Sequence, residues 1–269
     1  NYNNLALGVV DEQHRFGVDQ RLSLMNKSIS GSVPHQLIMT ATPIPRTLAM
    51  TAYGDLDSSV INELPKGRGT IETVVVSEEK REGVVLRVMD EIKKNRQIYW
   101  VCPLIEESEE LNFEAVETTH KNLKSKLKNC SIGLVHGKLD SLKKTKAMLD
   151  FKKGKQDVLV ATTVIEVGVD VANASIMVIE NSERLGLSQL HQLRGRVGRG
   201  EHKSICILIY KKPLSSMAKM RLSAIRESND GFYISEKDLE LRGPGELLGT
   251  KQKGIIGLKI ADIARDAYL

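Results

Sequence analysis

Apolar residues along the chain fall into short β-rich runs separated by amphipathic, helix-period stretches, the alternation of a parallel α/β architecture. "LALGVV" (5–10) reads as a buried strand ending at Asp11-Glu12, and "HQLIMTATP" (35–43) as a second strand. A helix is predicted to open at "PIPRTLAMTAY", where Pro45 suits a first turn because its missing N–H donor costs nothing there. "NELPKGRGT" (62–70) concentrates Pro and Gly and reads as an interdomain linker. The alternation then restarts. Strands are predicted at "IETVVVS", "QIYWVCPLI", "SIGLVHG", "DVLVATT", "ASIMVIEN" and "SICILIY", with helices at Glu79–Lys94, 109–128 and Ser141–Phe151. Strands this apolar belong where helices cover both faces of a sheet. Beyond 211 the strand signal fades, leaving a helix at 215–228 and a Gly-rich, charged tail.

Length and composition add bounds. At 269 residues the chain has room for about two domains, and 41% hydrophobic with 27% charged residues is ordinary for a soluble globular protein. Aromatics make up 4%, with one tryptophan, so aromatic base-stacking is not a dominant means of holding nucleic acid. The net charge of +5 permits polyanion binding without demanding it. Three widely spaced cysteines without a CxxC argue for a reducing, cytoplasmic setting and against a zinc site. No apolar run approaches a membrane span, and no signal peptide heads the chain. The first residue is Asn1, so the sequence reads as a piece of something longer.

Charge is uneven in one region. Residues 104–119 carry six glutamates and no basic residue, whereas 118–156 carry eleven lysines against two aspartates. Solvated helix faces account for this, and so would a landing strip for nucleic-acid phosphates. Composition leaves both readings open.

Four stretches carry candidate chemistry. In "VVDEQH" (9–14) an acidic pair ends a buried strand, where α/β sheets bind ligands. One carboxylate there suits a magnesium ion held through water and the next an attacking water, although acidic strand ends are also common solvated loops. In "MTATPIPRT" (39–47), Thr40 and Thr42 suit a hydroxyl relay or plain helix capping. In "VLVATTVIEVGVDV" (158–171), Thr162 and Thr163 end a strand, with Gly168 and Asp170 a helical turn later. Hydroxyls and backbone amides in that setting bind phosphate, and Asp170 suits a ribose hydroxyl or an arginine. His136 and Gly137 in "LVHGKL" occupy a similar strand end beside the lysine-rich region, where a lone histidine is also an ordinary structural residue. Last, "QLHQLRGRVGRG" (189–200) places Arg196 and Arg199 three apart in a glycine-punctuated turn. Planar guanidinium groups there suit a transferring phosphate, a role worth roughly 10³–10⁵ in rate, or ion pairs on a surface turn.

Together and in this order, the four stretches resemble the motifs of superfamily-two helicases and translocases. "DEQHRFGV", "MTATPIPRTLAMTAYGDLDSSVINELP", "YWVCPLIEES", "LVATTVIEVGVDVANASIMVIEN" and "ERLGLSQLHQLRGRVGRG" are similar to the RecG family of ATP-dependent DNA helicases. So is the tail "SNDGFYISEKDLELRGPGELLGTKQKG" (228–254), which resembles a translocation element shared with the transcription-repair coupling factor. The resemblance implies two RecA-like lobes with ATP between them. It implies a remnant of the first lobe at 1–62, a linker at 63–70, a complete second lobe at 71–212 and a helical translocation element at 213–269. Asp11 would hold magnesium and Glu12 would act as general base. Gln13 and His14 would couple nucleotide to the lobe interface, and Thr40 and Thr42 would transmit its state. Gln192, Arg196 and Arg199 would reach the ATP phosphates, joined by Gly168 and Asp170. His136, Gly137, Thr162 and Thr163 would lie nearer the DNA backbone. In the tail, Glu236, Asp238, Glu240, Arg242, Gly243, Gly245, Gly249 and Gln252 stand at motif positions, with Arg242 and Gln252 its main polar actors. The implied cofactors are ATP and Mg2+, and the implied partners are branched double-stranded DNA and an N-terminal part of the same protein, without a membrane.

One expected part is not within these 269 residues. No G-x-x-x-x-G-K-[ST] loop occurs, since Gly137-Lys138 is followed by Leu139 and Gly154-Lys155 by Gln156. The chain taken alone is therefore expected to be inactive as an ATP hydrolase. Two alternatives remain at this point, a fragment of the transcription-repair coupling translocase and an ATP-independent DNA-binding module.

Overall fold

The computed structural model describes residues 5–11, 34–40, 57–61, 63, 68–103, 109–162, 171–200 and 202–242. The chain divides into two compact units, Asn1–Ile44 and Pro45–Leu269. In the first, β1 (Leu7–Val10) and β2 (His35–Ile38) pair in parallel, with Val10 opposite Ile38. The helix predicted from Pro45 lies outside the described residues.

The second unit is built on a parallel six-stranded sheet of order β3-β8-β7-β4-β6-β5. Its strands are β3 (Ile71–Ser77), β4 (Gln97–Val101), β5 (Ile132–Val135), β6 (Val158–Ala161), β7 (Ala174–Ile179) and β8 (Ser204–Tyr210). Between and after them run α1 (Arg81–Ile92), α2 (Glu109–Lys126), α3 (Ser141–Lys152), α4 (Leu187–Arg194), α5 (Ser216–Glu227) and α6 (Gly231–Arg242).

Successive strand residues point to opposite faces, and each face has its own helical cover. Ile98, Trp100, Val158, Val160, Ile176, Val178 and Ile207 pack with Val84 and Val88 of α1 and with Val116, Leu123 and Leu127 in or just after α2. Tyr99, Leu159, Met177, Cys206 and Leu208 pack instead with Phe151 of α3, Leu187 and Leu190 of α4, and Leu222 and Ile225 of α5. This two-sided burial is why the strands read as continuous apolar runs rather than alternating ones. Each such side chain contributes about 1.5–3 kcal/mol on leaving water.

Several predicted elements are shorter in space than in sequence. The strand beginning at Gln97 ends at Val101, and the helix expected from Glu79 starts with a 3-10 turn, Glu78–Lys80, capped by the Ser77 hydroxyl, before α1. The tail adds α6, which the periodicity did not reveal. The Asp230 carboxylate accepts from the Phe232 N–H at 2.9 Å and opens this helix as an N-cap. Its inner stripe runs through buried Ile234 and Asp238, so a polar residue stands where an apolar one would have marked the period.

Candidate functional site

Parallel strands bring all their C-terminal ends to one edge, the edge at which α/β sheets bind ligands. β5 delivers His136 and Gly137 there, and neighbouring β6 delivers Thr162, whose N–H donates to Val135 O at 3.2 Å. Both side chains are buried, His136 at 7% exposure and Thr162 at 0%. Among the described residues, neither His136 Nδ1 nor Thr162 Oγ1 meets a hydrogen-bond partner. The His136 ring lies tilted against Phe113, 5.3 Å between centroids, and the Lys138 ammonium sits 4.6 Å over the same Phe113 ring. Burial holds the imidazole pKa below its ordinary value. Glu117 opposes that shift, while Lys144 and Lys138 add to it. A neutral ring with one free nitrogen results. Lys144 Nζ donates to Gly137 O at 2.7 Å, and the Asp140 carboxylate caps α3 by accepting from Lys143 N at 2.7 Å. Part of the lysine-rich region thus begins at this edge.

The arginine turn is built by close approach. Leu187, Leu190 and Leu193 pin α4 into the core, and α4 ends at Gly195. The Arg196 N–H donates to Leu193 O at 3.0 Å, and the next side chain, Val197, is fully buried. Gly198 has φ +78°, and a Cβ there would lie 2.9 Å from Ile71 Cγ1. A Cβ at Gly200 would come within 2.4 Å of Ala172 O. Only glycine fits either position without displacing its neighbours. Held at Val197 and both glycines, the turn leaves Arg199 exposed and Gln192 and Arg196 half-buried. Arg199 Nε donates to Gly195 O at 3.2 Å, and Arg68 Nη2 reaches the same carbonyl at 3.1 Å.

Behind the turn lies a residue that sequence reasoning passed over. Arg194 is 2% exposed, and burial draws its pKa below the ordinary guanidinium value. Its Nη1 donates to Ile225 O at 2.6 Å, Ser228 O at 2.8 Å and Thr73 Oγ1 at 3.3 Å, while Nη2 lies 3.0 Å from His191 Nδ1. Burial, then Arg194 and Arg68, push the His191 pKa down to about 4 against an opposing pull from Asp230. His191 is therefore neutral near pH 7 and free to accept at Nδ1. The available signal was positional. Leu187, Leu190 and Arg194 stand at i, i+3 and i+7, so this arginine lies on the core stripe of its helix.

A second group the sequence did not suggest joins the ends of β4 and β7. The Trp100 indole N–H donates to Glu180 Oε1 at 3.0 Å, Arg81 Nη2 reaches the same oxygen at 2.7 Å, and the guanidinium carbon lies 5.2 Å from the indole centroid.

In the first unit, Asp11 and Thr40 follow paired strands and stand at the same end of that small sheet, joined through Met39 N donating to Val10 O at 2.8 Å. Asp11 is exposed. In the tail, α6 carries Glu236, Asp238 and Glu240, with Glu240 paired to Lys237 at 2.7 Å. Arg242 closes α6, and its side chain lies outside the description. Also outside the described residues are Glu12, Gln13, His14, Thr42, Thr163, Gly168, Asp170, Gly243, Gly245, Gly249 and Gln252. The structure thus brings together three groups: Asp11 with Thr40, His136 with Thr162, and Gln192 with Arg196 and Arg199. Among the described residues, no group of three or more His, Cys, Asp or Glu side chains could hold a metal ion, and no helix is long and apolar enough to cross a membrane.

Two family profiles match the chain. One, the helicase conserved C-terminal domain, covers residues 81–201. The other, "ATP-dependent DNA helicase RecG, domain 3, C-terminal", covers residues 228–269. Two curated relatives, the ATP-dependent DNA helicases RecG of Haemophilus influenzae and Escherichia coli K12, are each 60% identical over 267 residues, 98% of this chain. The chain spans 38% of the length of either relative. A solved structure of RecG bound to a three-way DNA junction is 43% identical, with a TM-score of 0.74, over 99% of this chain and 33% of that one.

Proposed function

Because the chain belongs to the RecG family of helicases, we propose that it is the C-terminal motor portion of an ATP-dependent enzyme that remodels branched DNA, such as stalled forks and four-way junctions. The observation that carries this reading is the arginine turn. Val197 is locked in the core, and Gly198 and Gly200 are packed where no Cβ fits, so Arg196 and Arg199 are offered from a rigid base. Guanidinium groups fixed in advance stabilise the charge that develops on a transferring γ-phosphoryl group without reorganising during the reaction. Gln192, one turn earlier on α4, would bind beside them, with Gly168 and Asp170.

In this proposal Asp11 and Glu12 divide the remaining chemistry. Asp11 would hold magnesium through water, as suits an exposed carboxylate at a strand end with hard oxygen donors. Magnesium when bound supplies charge neutralisation on the phosphates. Glu12 would take the proton of the attacking water, Gln13 and His14 would contact the nucleotide, and Thr40 and Thr42 would pass on its state. His136, Gly137, Thr162 and Thr163 would hold phosphates of the DNA backbone, and the tail from Glu236 to Gln252 would engage the duplex, chiefly through Arg242 and Gln252. We place the lobe boundaries at 1–62, 71–212 and 213–269, and the enzyme in the cytoplasm. Branched DNA as substrate is carried over from the junction-bound RecG structure.

The test is ATP hydrolysis by these 269 residues alone, with and without a four-way junction. No turnover above background is expected in either case, because no phosphate-cradling G-x-x-x-x-G-K-[ST] loop lies within them. In the longer parent protein, junction-stimulated hydrolysis should fall by roughly 10³-fold or more on Arg199→Ala. Stimulated turnover by the isolated chain, or an unaffected Arg199→Ala enzyme, would refute the assignment.

A further inference from the structure

Two stretches far apart in sequence enter the sheet side by side. β3 and β8 are parallel neighbours with Ile71 opposite Ser204, so the residues just before each strand arrive at the same edge. Before β8 comes the arginine turn, and before β3 come Arg68, Gly69 and Thr70. The two approaches touch. A Cβ at Gly198 would lie 2.9 Å from Ile71 Cγ1 and 3.6 Å from Gly69 O, so the backbone leading out of Arg68 runs against the turn itself. Arg68 Nη2 donates to Gly195 O at 3.1 Å, and Arg199 Nε donates to the same oxygen at 3.2 Å. A carbonyl at the C-terminal end of a helix carries partial negative charge and has two lone pairs, so it can take both donors. Arg199 uses Nε for this bond, and its terminal nitrogens take no part in it. Arg68 also shares the local sequence of Arg199. Gly67 and Gly69 flank the one, and Gly198 and Gly200 flank the other.

We propose that Arg68 is a third phosphate-binding arginine of this site, gripping the ATP phosphates together with Arg196 and Arg199. The shared carbonyl offsets only a fraction of one charge, whereas the two guanidinium groups it holds bring two. A polyphosphate supplies full negative charge and several oxygens, each able to take a guanidinium fork through charge-assisted bonds. The repulsion between the paired arginines is then relieved on nucleotide binding, which makes their proximity a contribution to affinity. Arg68 is also set in advance. Its backbone is fixed by the start of β3 against Gly198, and its side chain by Gly195 O, so little freedom is lost when phosphate arrives. A lysine here would bring a point charge on a flexible stem, without the planar fork that can keep Gly195 O and meet a phosphate together. In sequence Arg68 lay in a Pro/Gly-rich stretch read as a linker, and only the β3–β8 pairing brings it to the turn.

This role rests on the helicase reading above, and the experiment separates the two. In the full-length parent, wild type, Arg68→Ala and Arg68→Lys are assayed for ATP hydrolysis at a saturating four-way junction over a range of ATP concentrations. Thermal midpoint and junction affinity are measured on the same preparations. Arg68→Ala should raise the KM for ATP about tenfold, the size of one lost charge-assisted bond. Its kcat should change by less than about threefold, since the bond is made to bound ATP as well as to the transition state. Arg68→Lys keeps the charge and loses the fork, and should raise KM by about threefold. Midpoint and junction affinity should stay at their wild-type values. An Arg68 that only braces the turn through Gly195 O would lower the midpoint and kcat and leave the KM for ATP unchanged, and that result overturns the assignment. Two variants indistinguishable from wild type in KM overturn it as well. If Arg68→Ala does not fold, Arg68→Lys decides by its KM. A wild-type parent with no junction-stimulated hydrolysis would instead refute the helicase reading.

Discussion

His191 makes the C-terminal unit sensitive to acid, by an amount that follows from its surroundings. Its folded-state pKa is about 4, against an ordinary 6.5, because burial and the neighbouring Arg194 and Arg68 disfavour a second positive charge. The unfolded chain therefore takes up a proton below about pH 6.5 that the folded chain refuses until near pH 4. Stability from this residue is fully present above 6.5 and is lost as pH falls through that window. A gap of this size is worth roughly 3 kcal/mol in full, of which about 2 kcal/mol is already lost at pH 5, less a share for the part of the ring that water reaches. Other groups titrate too, so the comparison is with His191→Gln, which keeps an acceptor but cannot be protonated. Urea unfolding of both proteins is followed at pH 7 and pH 5 by fluorescence of Trp100, the one tryptophan and fully buried. The stability difference between wild type and variant should shrink by about 1–2 kcal/mol from pH 7 to pH 5. An unchanged difference would mean that His191 is not held neutral, and the account of its bond to Arg194 would fail with it.

Two further outcomes test the packing. Gly198→Ala should cost about 2 kcal/mol or more in urea unfolding, combining a left-handed backbone with a Cβ 2.9 Å from Ile71 Cγ1. Gly83→Ala, in α1 with nothing within 4 Å of the new Cβ, should stabilise by about 0.5–1 kcal/mol, and a matching loss at both sites would contradict the geometry. Thiol labelling of the native chain should modify Cys130 first. Cys206 is fully buried with its pKa pushed up to about 12, and Cys102 is buried with its thiol pushed up by desolvation and by Glu180. Rapid labelling of all three without denaturant would show that the sheet is not packed as described.

Much of the second unit was legible in order of occurrence. Runs such as "DVLVATT" and "ASIMVIEN" gave β6 and β7 because strands covered on both faces need apolar residues at every position, and that need is written locally. The glycines of the arginine turn were legible for a similar reason, since a left-handed φ and close backbone approach exclude every other residue type. The motif residues also announced a family. Strand order was another matter. Nothing local tells β4 to lie between β7 and β6, or β8 to lie between β3 and β7, because such neighbours pair residues from distant parts of the chain. The roles of like residues differed for the same cause. Arg194, Arg196 and Arg199 stand within six positions, yet Arg194 is sealed against Ile225 O and Ser228 O while Arg199 faces solvent. Sequence by itself marked most strands and helices of the second unit, the glycines of the turn and the family, since these depend on backbone conformation and spacing within a few residues. Only the tertiary structure decided which charges are buried, because the cost of desolvating a charge is offset by partners that folding brings from elsewhere in the chain.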